Sequence, residues 1–171
     1  RCDVCCRFPE ADSFLRPYFT QQEIAAAVAQ GIPPASFPDR SGSQVDLKPN
    51  PSGEGYLCPA FDTTASHCGI YEVRPLDCRL YPLALMWNAA HTEVVLGWDT
   101  KCPFTPEGKG QEGRGNRPES LPSPSAQGLA PAVVAHAARV ASLIEHDYLD
   151  TLAANPRLIG RFQDDVVIVR R

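Results

Sequence analysis

Residues 58–82 read CPAFDTTASHCGIYEVRPLDCRLYP, and they set Cys58, Cys68 and Cys78 apart by nine residues each. Each cysteine sits against turn-forming residues: Pro59 follows Cys58, Gly69 follows Cys68, and Pro75 lies just ahead of Cys78. A cysteine used for core packing more often lies inside an apolar run. These three sit where a loop presents a thiolate outward. Pro75 suits the first position of a short helical turn, where no backbone N–H is needed. The stretch therefore predicts loops and single turns rather than a long helix or strand. Working outward, the same kind of residue recurs as Cys2-x2-Cys5-Cys6 upstream and Cys102-Pro103 downstream.

A Cys-x2-Cys turn brings two thiolates together with backbone N–H groups pointing at the sulfurs. Thiolates are soft ligands that select zinc, copper(I) or iron–sulfur clusters over hard cations. Buried structural thiols, disulfides, or a redox dithiol at Cys2 and Cys5 are the alternatives. There are seven cysteines, an odd number, so complete intramolecular pairing is impossible. The loop context of the set favours a metal or cluster held by Cys2, Cys5, Cys6, Cys58, Cys68, Cys78 and Cys102. Adjacent side chains at Cys5 and Cys6 are expected to diverge, which points to a polynuclear or two-site arrangement. Structural zinc sites show two short knuckles, and only one is visible here. Two Cys-Pro steps match the end of a bacterial ferredoxin cluster run. The donor pattern leans to an iron–sulfur cluster, with zinc as the alternative.

The rest of the chain supplies a frame. Thr20 opens a helix with Glu23 completing a capping box, Ile24, Ala27 and Val28 make its apolar face, and Gly31, Pro33 and Pro34 stop it. Residues 44–57 read as a hairpin with Val45 and Leu47 alternating and Tyr56-Leu57 returning. A second hairpin runs from Leu83 to Trp87 and from Glu93 to Trp98. Residues 105–128 are half Gly, Pro and Ser, too few apolar groups to offset ordering entropy, so a mobile loop is expected. A longer helix is expected over Leu129 to Ala154, with Val134, Ala137, Ala138, Ala141, Ile144, Tyr148 and Leu152 as its buried stripe. Val166 to Val169 lie in a last strand. The 171 residues are expected to form a small single α+β domain, with two main helices, short hairpins and cysteine loops gathered round a metal site.

The net charge of −4 argues against a sequence-independent nucleic-acid binder. No apolar run approaches a membrane span. The chain is expected to be cytoplasmic, with no nucleic-acid or membrane partner and room for a protein partner. No secretory-signal pattern is visible.

Around the cysteines, Arg74 and Arg79 flank Cys78. They are expected to offset thiolate charge or to pair with Glu72, Asp77 or Asp99. Tyr71, Tyr81, Phe61 and Phe104 are expected to pack and to keep water off a cluster. His67, beside Cys68, is a candidate extra ligand. Asp77 and Asp99 are hard donors and weaker candidates. His91 reads as solvated, His146 and Asp150 as a local helical pair, and Asp164-Asp165 as a solvated turn. No Ser/His/Asp arrangement and no nucleotide fingerprint is present.

Taken together, Cys58-Pro-Ala-Phe61 and Cys68-Gly-Ile-Tyr71-Glu-Val-Arg74-Pro75-Leu-Asp-Cys78-Arg79-Leu-Tyr81-Pro82 resemble the core of the YkgJ-like cysteine-cluster family, described as zinc- or iron-chelating. Its N-terminal signature is C-x2-C-x2-C-C, and Cys2, Cys5 and Cys6 match the last three cysteines. The first would fall just before Arg1. The resemblance covers residues 1 to about 104 and implies a cysteine-held metal. It suggests a redox, maturation or accessory role. An enzyme of protein modification, by analogy with longer relatives linked to lysine methylation of flagellin, and an interaction module with a purely structural zinc are the alternatives.

Overall fold

The computed structural model describes residues 4–99, 131–163 and 166–170. Cys2, Cys102, Phe104 and the 105–128 segment lie outside them. The chain is α+β and packs as two compact units, Arg1–Arg79 and Leu80–Arg171.

In the first unit, Thr20 caps helix α1, Gln21–Ala29, through the expected box: its side chain accepts from the Glu23 N–H, and the Glu23 carboxylate takes the Thr20 N–H at 2.9 Å. Ile24 and Ala27 are buried along one face. Gly31, at φ 95°, ends the helix. Its N–H donates to Val28 at 2.9 Å while the Ile32 N–H donates to Ala27 at 3.1 Å. That pair of bonds is a Schellman stop, and it needs a residue tolerant of positive φ.

The strands of this unit are only two or three residues long. Strands β1 (Arg7–Phe8), β4 (Lys48–Pro49) and β5 (Tyr56–Leu57) form an antiparallel sheet in the order β1-β5-β4. Strand β2 (Tyr18–Thr20) pairs with β3 (Gly42–Gln44). The expected 44–57 hairpin is thus shorter than its pattern. Val45 lies outside any strand, 1% exposed, with its N–H donating to Pro17 at 3.1 Å. Its alternation with Leu47 reflects core anchoring, and Pro49 lacks the N–H that would extend the ladder. Gly55, at φ 82°, closes the turn before β5, and a Cβ there would meet the Phe8 carbonyl oxygen at 2.6 Å.

The core of this unit is formed by Phe8, Phe19, Ile24, Ile32, Phe37, Val45, Leu57 and Phe61 among others, and Cys58 is one of its members. Cys6 and Cys68 pack against it, partly buried. Phe19 and Phe37 meet edge to face at 5.1 Å.

The second unit has longer strands. Strands β8 (Leu83–Trp87), β9 (Val94–Asp99) and β10 (Val166–Arg170) form an antiparallel sheet in the order β10-β9-β8. The second hairpin is where the sequence places it. Pairing Met86 with Val95 puts both on one face, where they pack with Val166. Pairing Leu85 with Leu96 and Trp87 with Val94 puts those on the other face. Gly97 leaves room for the Val166 side chain, which a Cβ would strike.

The expected uninterrupted helix is instead α3 (Pro131–Leu143), a π-helical turn (Ile144–Tyr148) and α4 (Leu149–Ala154). Val134 and Ala138 are exposed, and Val133, Ala137 and Ile144 are buried. Adjacent valines carry the same apolar signal, so packing rather than periodicity chooses between them. His146 Nδ1 lies 2.7 Å from the Ser142 carbonyl oxygen, one turn back, in place of the expected pairing with Asp150. No described helix is long and apolar enough to cross a membrane.

Candidate metal centre

In the first unit Cys58 belongs to the core, and Cys6 and Cys68, from separate segments, pack against it. Cys5 and Cys6 lie on a single 3-10 turn, Val4–Cys6. The Cys58 N–H donates to the Cys6 carbonyl at 3.0 Å, so β1 and β5 carry these two residues to the same place. A tight turn follows, with the Phe61 N–H donating to Cys58 at 2.9 Å. Strands β6 (Phe61–Asp62) and β7 (His67–Cys68) then pair with Phe61 opposite Cys68. The Gly69 N–H closes this hairpin on the Ala60 carbonyl at 2.8 Å. Cys78 comes from helix α2, Leu76–Leu80, whose first turn includes Pro75 as donor-free residue, since the Arg79 N–H donates to the Pro75 carbonyl at 3.0 Å.

Side chains far apart in sequence seat α2. The Leu76 N–H donates to Glu23 Oε1 at 2.7 Å, and the Tyr18 N–H donates to Asp77 Oδ2 at 3.0 Å. The same Glu23 that caps α1 therefore caps α2. Loss of water around Asp77, partly offset by the Tyr18 N–H and reinforced by the Glu23 charge, pushes its carboxyl up to about 6.

The thiols share one electrostatic environment. A hydrogen bond with the Cys5 side chain, then burial, then the charges of Cys5, Cys58 and Cys68 push the Cys6 thiol far above its ordinary value. Burial pushes Cys58 up to about 11, with Cys68 and Cys5 adding to it. Cys68 is raised by burial and by Cys5. Cys78 is raised well above the ordinary value by burial, then by Asp77, Cys58, Cys5 and Cys68. A group of like-charging sites that raise one another this way is stabilised as a set of thiolates by a cation in their midst.

Other contacts already favour the thiolate form. The Ala60 N–H donates to the Cys58 sulfur and the Ile70 N–H to the Cys68 sulfur. Arg74 lowers Cys68, and Lys48 lowers Cys58. Backbone N–H donors aimed at sulfur are the usual support of a metal-bound cysteine. None of the five described cysteines is in a disulfide. The donor chemistry fits zinc or iron. Among the described residues, no three His, Cys, Asp or Glu side chains form a metal-holding group by themselves, and Cys2 and Cys102 are not among those residues.

Several sequence expectations change. Cys5 and Cys6 do not diverge: a 3-10 turn rotates neighbours by about 120° rather than the half-turn of a strand, and their side chains hydrogen bond. His67 pairs with Asp62 and is exposed. Successive strand residues face opposite ways, so His67 points away from the side that Cys68 shares with buried Phe61. Tyr71 is 54% exposed rather than packed in the core, and the Arg74 guanidinium lies over its ring at 4.1 Å. Arg79 pairs with Glu23 at 3.7 Å, a partner outside the three expected. Tyr81 belongs to the second unit and is half-buried. His91 is exposed at a turn, against the Trp87 ring.

Glu23 and Asp77 were legible only as a capping residue and a weak ligand. Their part in seating the Cys78 helix joins residues 53 and 59 positions apart, and no local pattern announces such a contact.

Against known proteins, a family model described as "CxxCxxCC: Putative zinc- or iron-chelating domain" matches residues 1–109. No curated protein and no solved structure matches the chain significantly.

Proposed function

We propose, from the premise that this chain belongs to the CxxCxxCC family of zinc- or iron-chelating domains, that its cysteine thiolates hold an iron–sulfur cluster in a redox, maturation or accessory factor. What supports the reading is that the Cys58 N–H donates to the Cys6 carbonyl and that Cys6 and Cys68 pack against the core to which Cys58 belongs. Seven cysteines exceed the four that hold one tetrahedral zinc ion or one cluster, and the single short knuckle and the two Cys-Pro steps favour a cluster over a lone zinc ion. The bound centre would supply electron transfer or a site for metal handling.

The chain's own residues do the rest. Cys58, Cys68 and Cys78 are held by the unit's core, the β6–β7 hairpin and α2. Ala60, Ile70 and Arg74 offset charge at the sulfurs. Phe61 and Ile70, both buried, keep water from one side. Cys5 is exposed and leaves another side open to solvent or a partner.

Anaerobic purification with metal and acid-labile sulfide analysis, plus an ultraviolet–visible spectrum, tests this. Iron with matching sulfide and visible charge-transfer bands supports the cluster. Zinc without sulfide replaces it with a zinc centre. A protein that takes up neither metal overturns both. Cys78→Ser is expected to lower metal content and to increase proteolysis within 58–82.

A further inference from the structure

Lys48 opens β4 at the edge of the β1-β5-β4 sheet. The register sets Arg7, Leu57 and Lys48 in one row across that sheet. Residues directly opposite in a ladder share a face, so both cations leave the sheet on the side from which Leu57, 1% exposed, enters the core. An edge-strand lysine often does no more than keep its strand from pairing with another chain. This one turns back onto the cysteine loops: its Nζ donates to the Phe61 carbonyl at 3.4 Å. The Arg7 guanidinium lies 5.4 Å from the centroid of the same residue's ring.

Phe61 is a fixed point in those loops. It is buried, its N–H donates to the Cys58 carbonyl at 2.9 Å, and it stands opposite Cys68 in the β6–β7 pair. An ammonium held at its carbonyl is therefore held beside the Cys58 turn. Its field reaches the Cys58 thiol and the Asp62 carboxylate, favouring the anion at each. A zinc ion held by four thiolates keeps a net charge of about −2, and reducing a cluster adds one more electron. A cation placed beside such a centre favours keeping the metal and accepting the electron.

We propose, resting on the metal-centre reading above, that Lys48 is a positioning residue of that centre: its ammonium, held at the Phe61 carbonyl, offsets the charge at Cys58, slows loss of the metal and raises the reduction potential of a bound cluster. The hydrogen bond fixes where the charge stands, and the charge acts on the centre.

The test compares the full chain, purified anaerobically, with Lys48→Met, Lys48→Gln and Lys48→Arg. The readouts are metal and sulfide content, the rate of metal transfer to excess EDTA, and the reduction potential followed through the visible bands. Lys48→Met should release metal about threefold faster, the scale of an exposed ionic contact. Its potential should fall by about 30 mV, the same threefold factor for one electron. Lys48→Gln keeps a donor without the charge and should behave as Lys48→Met does. Lys48→Arg should return both quantities to the parent's. In about 1 M salt, Lys48→Met and the parent should converge, because exposed charges are then screened. Parent-like release by Lys48→Met, or full rescue by Lys48→Gln, overturns the role of the charge and leaves the metal centre standing. Zinc without sulfide in the parent removes the cluster, and the release rates then decide for or against Lys48. A parent that takes up no metal overturns both.

Discussion

The two units solve the same packing problem differently. The second rests on an antiparallel sheet whose β8–β9 ladder runs five residue pairs, Leu83 with Trp98 to Trp87 with Val94. The first has ladders of two or three pairs. Strands that short are marginal alone, so the first unit is fixed by other means: two turns that bond across the chain, the doubly used Glu23, a buried aromatic core, and thiols packed against that core. Where regular structure is scarce, residues with chemistry also carry the architecture. A change at the cysteines should therefore reach the first unit's backbone, and should leave the β8–β9 ladder as it was.

Removing the metal gives the largest expected effect. In small metal sites binding energy is folding energy, on the order of 10 kcal/mol for structural zinc. Chelation should speed hydrogen exchange at the amides of Cys58, Phe61 and Gly69, which hold the cysteine loops, and spare Leu85 and Met86. Equal loss in both places would erase the contrast between the units.

Core truncation comes next. Phe19 is 2% exposed in the first unit and Met86 0% in the second. Phe19→Ala should cost about 3–5 kcal/mol and Met86→Ala about 2–5, measured by denaturant titration. The contrast predicts that Phe19→Ala also lowers metal content and Met86→Ala does not.

Glu23→Ala removes a capping box and the acceptor for the Leu76 N–H. A lost cap costs about 1 kcal/mol, and a lost hydrogen bond to a charged group about 1.5–3. We expect roughly 2.5–4 kcal/mol in all, with Glu23→Gln recovering much of it because the amide oxygen still accepts. Protease sensitivity within 76–80 should rise alongside. An alanine variant as stable as the parent would show that α2 is seated by apolar contacts alone.

His67→Ala should do least. The residue is exposed on the outer face of β7, so a change within about 0.5 kcal/mol is expected, with metal content unaltered. Loss of metal in this variant would restore His67 as a ligand and mean that the β6–β7 face is assigned wrongly.

Much of the frame was written locally. The capping box at Thr20 and Glu23, the Gly31 stop, the β8–β9 hairpin and the short turn after Pro75 all depend on neighbours within a few residues, where backbone chemistry decides. Hydrophobic alternation misled at Val45, whose burial comes from a core contact rather than a strand. It could not choose between Val133 and Val134, because adjacent apolar residues look alike until a surface packs against one. The helix over 131–154 gave no sign of its π-turn.

The cysteine set was legible as chemistry, because residue type and turn context suffice to name soft donors. Where each of them lies in the fold was not legible. That was decided by strand pairing that places Cys6 beside Cys58, by a hairpin that turns Cys68 inward and His67 outward, and by Glu23 and Asp77 reaching across more than fifty residues to seat the helix of Cys78. Sequence alone determined what the thiols could bind and where the backbone could turn, since both are properties of single residues and their nearest neighbours. Only tertiary structure decided where each thiol lies against the core, because that depends on contacts whose free energy exists once distant segments have packed.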